Sequence, residues 1–303
     1  MPTLFRLCVL VLLTCMAGPR SVSARPAAPQ PDVLRDVHYV VGGTPDQVLD
    51  LYSPSGRGFP TVIFIHGGSL QEVAERRTSP VYATVCEPFV AARIGCATID
   101  YRLAPTSKWP AMPNDAAAAV KWVKRNIAAH GGDPSRIFVF GHSSGCQLAA
   151  ILGANPKYLA TVSLEPSDLA GIIAMGCVLA PLEDATTKHT MDELRARWPK
   201  SGDESTYGTL DERLDSDPSR FIGPHMPPTI VIVAEAERFF PAILEQGAKF
   251  VRRLLELKRP ADVILVPGKH MTSIANITAA DDPTFLAIMR FIENPAKAGE
   301  AGR

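Results

Sequence analysis

The chain lacks the common metal signatures: no two cysteines are spaced C-x-x-C, and no pair of histidines or acids has ligand spacing on one helical face. No resident metal or cofactor is expected. It also lacks an excess of charge of either sign, because 31 Lys+Arg balance 31 Asp+Glu in 303 residues. No basic face is implied, so nucleic acid is not an expected partner. There is no run of like charges and no internal repeat, which excludes charged tails and solenoids. No apolar run reaches the roughly 20 residues of a membrane-spanning helix. What is present is 46% hydrophobic content, enough for one large core. A single α/β domain over residues 25–303 fits that length better than two small ones.

The first 24 residues stand apart. Arg6 precedes an apolar run over 7–18, and Ser21-Val22-Ser23-Ala24 follows with small residues where a signal peptidase reads. The expectation is a secretory leader over 1–24, cut after Ala24. The chain would then be secreted or periplasmic, with no stable membrane anchor. Cys15 follows Thr14, a poor context for a lipid-modified cysteine. Without Arg6 and Arg20, 29 bases face 31 acids, a net charge of −2. Cys86, Cys96, Cys146 and Cys177 remain. Buried free thiols are the expectation, and one or two disulfides are the alternative that an oxidising compartment permits.

Residues 25–32 are Pro/Ala-rich and read as a loose lead-in. Residues 37–41 and 47–52 read as an opening pair of strands. Continuous apolar runs over 60–65, 96–101 and 136–141 are expected of strands buried on both faces. Further strands are read at 169–179, 229–234 and 262–266. Residues 113–130 read as a helix, with Pro113 in its first turn, apolar residues at helical spacing, and Gly131-Gly132 as its stop. A last helix is read at 283–293. Strands alternating with helices imply a doubly wound, mostly parallel sheet covered on both faces. Residues 182–227 break that rhythm, with Trp198, Tyr207 and Phe221 among many charges. They are expected to form a small lid insertion that walls a ligand site, with a plain surface insertion as the alternative.

Gly141-His142-Ser143-Ser144-Gly145 follows the apolar run RIFVF and precedes an apolar helical stretch. This is G-x-S-x-G in strand–turn–helix context, which lifts the Ser143 hydroxyl out of the sheet edge as a nucleophile. His66-Gly67-Gly68-Ser69 directly follows PTVIFI. Its glycines let backbone N–H groups approach a ligand, so the amides of Gly67 and Gly68, with that of Ser144, form a candidate oxyanion hole. A serine hydroxyl needs a base. Of seven histidines, His270 lies just past the last strand, at the same carboxyl edge as Ser143. The orienting acid should lie between serine and histidine in the chain. Glu237 is the choice, one step further into the loop after TIVIVA than Glu235, with Glu183 and Asp184 as the other candidates.

Taken together these segments resemble the esterase/lipase group of α/β-hydrolases, near its hormone-sensitive-lipase-like and bacterial feruloyl-esterase-like carboxylesterases. LDLYSP, HGGS, DYRLAP, GGDPSRIFVFGHSSG, PPTIVIVAEAE and PGKH match in order over most of the chain after residue 24. Two positions depart: Cys146 stands where Gly is frequent, and Glu237 where Asp is usual. With so short a lead-in, the smaller-lidded feruloyl-esterase-like branch is expected rather than one with a large N-terminal cap. The resemblance implies a carboxylic ester hydrolase acting on a small-molecule ester, with Ser143, His270 and Glu237 as its triad. Amide or formamide hydrolysis uses the same parts. A non-catalytic binding module on the same fold is the alternative of another class.

Overall fold

The computed structural model describes residues 31–72, 76–180, 198, 203–239 and 241–300. The leader read over 1–24 and the candidate acids Glu183 and Asp184 lie outside them. Eight strands form one sheet: β1 (Asp32–His38), β2 (Val48–Ser53), β3 (Phe59–Ile65), β4 (Gly95–Ile99), β5 (Gly132–His142), β6 (Gly171–Met175), β7 (Thr229–Ala234) and β8 (Ala261–Val266). Their order is β1-β2-β4-β3-β5-β6-β7-β8. The pairings β1·β2 and β2·β4 are antiparallel, and every pairing from β4 to β8 is parallel.

The apolar runs are strands because both faces are covered. Along β3, Val62 and Phe64 enter one core while Ile63 and Ile65 enter the other. In β5, Phe138 and Phe140 alternate with Ile137 and Val139 in the same way. This is the two-residue period of a pleated strand, with apolar residues at both phases. Helices α1 (Cys86–Ala91) and α9 (Pro283–Glu293) cover the Val62/Phe64 face, and α2 (Ala111–Asn126) and α3 (Ser144–Ala154) the Ile63/Ile65 face. The start of α9 is set by its cap: the Asp282 carboxylate accepts from the amides of Thr284 and Phe285, and Pro283 opens the helix. The remaining helices are α4 (Pro156–Ala160), α5 (Asp203–Tyr207), α6 (Leu210–Asp215), α7 (Pro241–Glu256) and α8 (Thr272–Ala275).

Four sequence expectations need correction. The first strand is Asp32–His38, not residues 37–41, because Val41 is fully exposed in the turn that follows. An edge strand needs no continuous apolar face. Strand β6 stops at Met175, short of residue 179, because Gly176 at φ +65° turns the chain. Helix α2 begins at Ala111, and its last turn tightens into a 3-10 turn, Ile127–His130. The four cysteines are not free thiols: Cys86 is bonded to Cys96 and Cys146 to Cys177. Each pair has its Cα atoms within bridging range, at 5.4 and 5.8 Å.

Candidate active site

Sheet register assembles the site. Ile65 pairs with Gly141, so the HGGS loop leaves β3 beside the turn that leaves β5. His142 pairs with Met175, which sets Gly176 beside Ser143. Ala234 pairs with Val266, so the loops carrying Glu237 and His270 leave the sheet side by side. The Ala236 amide donates to the Gly268 carbonyl at 3.1 Å and ties those two loops together.

Ser143 has φ +55° and ψ −128°, outside the regions that L-residues favour, and sits immediately before α3. Close backbone approach explains the flanking glycines. A Cβ on Gly141 would lie 2.0 Å from the Gly145 carbonyl oxygen, and one on Gly145 would lie 2.2 Å from that of Ile65. The Ser143 amide is fixed by the Met175 carbonyl at 2.9 Å. The amide of Ser144, in the first turn of α3, has no hydrogen bond among the described residues, as expected at a helix start.

His270 Nδ1 is hydrogen-bonded to the Glu237 carboxylate. Glu237 is buried, whereas Glu235 is exposed. Its second oxygen accepts the Ala234 amide at 2.8 Å. Burial pushes the Glu237 carboxyl up, but the bonds from His270 and Ala234 outweigh it and hold the pKa below the ordinary 4.5. Gly176 joins this pair to the serine. A Cβ there would lie 3.1 Å from both Glu237 Oε1 and His270 Nδ1, and Gly176 lines the same cavity as Ser143. Among the described contacts Ser143 and His270 share no direct hydrogen bond. Such bonds are often long before substrate is bound.

The HGGS loop is held from below. His66 is buried, stacks on Tyr101 at 4.5 Å, and its Nδ1 lies 2.7 Å from the Gly67 carbonyl. Burial lowers its pKa to about 4 against the pull of Asp100, so it is neutral near pH 7 and is a prop for the loop. Asp100 is itself fixed by the Arg77 amide and guanidinium. In the same segment Asp115 accepts from Arg102 and Gln47, at 2.7 Å from each. The Gly67 amide donates to Tyr82 Oη at 3.2 Å, which removes it from the free donors in this state. The Gly68 and Ser69 amides carry no hydrogen bond among the described residues.

His142, beside the nucleophile, has both ring nitrogens engaged: Nδ1 with Tyr82 Oη and Nε2 with the His270 carbonyl, each at 2.9 Å. A carbonyl only accepts, so Nε2 carries the proton and the Tyr82 hydroxyl donates to Nδ1. Burial lowers the His142 pKa to about 4, with a further push from His270. The sequence gives no sign of this Tyr82–His142 support, because Tyr82 is 60 residues away in the chain.

A cavity of about 240 Å³ opens at Ser143, and Ser69, Gln147, Tyr207, Arg213 and Ile243 are among its walls. Of the three aromatics expected to wall a pocket, Tyr207 does so, while Trp198 and Phe221 pack against the core. The described part of residues 182–227 is anchored. The Trp109 amide donates to the Thr206 carbonyl at 2.8 Å, and Gln147 Nε2 donates to the Ser216 carbonyl at 2.7 Å. Two larger cavities lie away from this site, one along β8 and α9 and one along β1 and α1.

The family model described as BD-FAE matches residues 49–254. Esterase LipC of Mycobacterium tuberculosis is 30% identical over 230 residues, 72% of this chain and 54% of that protein. Gibberellin receptor GID1 of Oryza sativa subsp. japonica is 36% identical over 232 residues, 76% of this chain and 57% of that protein. The chain thus spans little more than half the length of these relatives. Among solved structures, esterase B from Lactobacillus rhamnosis superposes with a TM-score of 0.69 at 18% identity, over 91% of this chain and 89% of that one. A hyperthermophilic esterase from the archaeon Pyrobaculum calidifontis gives 0.66 at 22% identity, over 89% and 86%. The fold is that of the α/β-hydrolases.

Proposed function

The chain belongs to the BD-FAE family of α/β-hydrolases, and from that premise we propose that it is a carboxylic ester hydrolase working through Ser143, His270 and Glu237. The observation that carries this reading is the Glu237–His270 bond, formed at the sheet edge where Ser143 stands in its left-handed turn. Membership of the family does not by itself decide catalysis, since one relative is named a receptor. A retained acid–imidazole pair beside an elbow serine favours hydrolysis over a binding module.

In the proposed cycle Ser143 Oγ attacks the acyl carbon while His270 Nε2 takes its proton. Glu237 holds the Nδ1–H and stabilises the imidazolium. The proton then passes to the leaving alcohol, and water repeats the sequence to release the acid. With the Gly67 amide held by Tyr82, the Gly68 and Ser144 amides are the donors for the oxyanion, with Ser69 adjacent. Losing one such donor typically costs about 10²–10³ in turnover.

The test is a panel of p-nitrophenyl esters of rising acyl length, with an aryl ester and a matched anilide. Turnover of short esters well above the anilide supports the reading. Faster hydrolysis of the anilide would replace it with amide hydrolysis. We also propose export. Two disulfides within one domain fit an oxidising compartment, and mass spectrometry of the mature protein should find it beginning near Arg25.

A further inference from the structure

Arg213 lines the cavity at Ser143, and among its described lining residues it alone is formally charged. Its side chain is 14% exposed, an uncommon degree of burial for a guanidinium. Among the described residues, its surroundings leave much of its hydrogen-bonding capacity unused. Asp203 approaches Nε at 3.5 Å but is 44% exposed, and Nε makes no hydrogen bond. Nη1 donates to Ser216 Oγ at 3.2 Å. Nη2 carries no hydrogen bond among the described residues. A half-exposed ion pair of that length contributes little.

The placement is nevertheless rigid. The guanidinium carbon lies 4.6 Å from the centre of the Tyr207 ring, a cation–π contact that restrains it. Helix α6, which carries Arg213, starts at a reciprocal Thr209–Glu212 capping box. It ends at Asp215, which accepts from Trp109 Nε1 at 2.9 Å and from the Tyr158 hydroxyl. Gln147, four residues after Ser143 on α3, bonds the Ser216 carbonyl and ties the nucleophile's helix to this wall.

We propose that this cavity selects short esters bearing a carboxylate, which Arg213 receives beside the reacting carbonyl. The proposal rests on the esterase reading above and names its substrate class. The planar guanidinium matches a carboxylate better than any neutral group does. An all-alkyl acyl chain against it would bury the unused donors without replacing their water. The small cavity restricts the fit to compact substrates.

Three ethyl or butanoyl esters separate the possibilities by pH-stat: ethyl butanoate is neutral, monoethyl succinate carries its carboxylate on the acyl side, and O-butanoyl glycolate carries it on the alcohol side. One charged ester should exceed ethyl butanoate in kcat/KM by about tenfold or more. Arg213→Gln should lower that charged-to-neutral ratio by roughly tenfold to hundredfold, the range for a hydrogen bond to a charged group. Arg213→Lys, which keeps the charge but loses the fork, should retain part of it. Wild-type protein that hydrolyses ethyl butanoate at least as well as both charged esters overturns the proposal and leaves the esterase reading standing. Failure on all three esters overturns both.

Discussion

In the proposed triad, Glu237 is the residue on which the acid–base chemistry would turn. Its carboxylate fixes the His270 tautomer by accepting from Nδ1. Neutralising the acid of a comparable triad lowers turnover by about 10⁴-fold. Glu237→Gln should approach that loss in kcat with little change in KM, and Glu237→Asp should recover part of it. Glu235→Gln should cost little, because Glu235 is exposed and outside the pair. The sequence places Glu237 further into the loop after TIVIVA than Glu235, and in the fold it is Glu237 that bonds His270. The placements of Tyr82 and Arg213 were not legible. They come from contacts across the chain, such as Tyr82 with His142, and no local pattern encodes them.

At the scale of elements, α3 is held by more than packing. The Cys146–Cys177 bridge joins its first turn to the loop after β6, and Cys177 lines the cavity at Ser143. The loop closed is 31 residues long, so the chain-entropy account gives about 3–4 kcal/mol of stabilisation. The Cys86–Cys96 bridge closes 10 residues and should contribute about 2–3 kcal/mol. Denaturant unfolding of the two double Cys→Ala variants should give losses in that order. Only loss of the Cys146–Cys177 bridge should also lower turnover, since only it borders the nucleophile. Strongly patterned elements such as Thr229–Ala234 and Pro283–Glu293 could be bounded from sequence alone. Edge strand β1 could not. Its partly exposed face lacks the apolar run that marks β3 and β5, and Val37–Val41 offered a more hydrophobic decoy.

For the whole molecule, two buried neutral histidines tie stability to pH. His66 and His142 have folded pKa values of about 4 against an ordinary 6.5. Between those values the unfolded chain binds protons that the folded one does not. Stability is therefore complete above pH 6.5 and is lost as pH falls toward 4. Each histidine adds a slope approaching ~1.4 kcal/mol per pH unit in that window. Unfolding free energies at pH 7, 6 and 5 should fall in sequence, and a pH-independent value across that range would show that these rings are not buried neutral. Ser143 as the nucleophile is tested by incubation with a p-nitrophenyl alkylphosphonate, followed by peptide mass spectrometry and assay on p-nitrophenyl butanoate. One adduct is expected, on Ser143, forming in step with loss of activity, and neither adduct nor turnover in a folded Ser143→Ala variant. An adduct on another serine, or a folded Ser143→Ala variant with near-wild-type turnover, would contradict it.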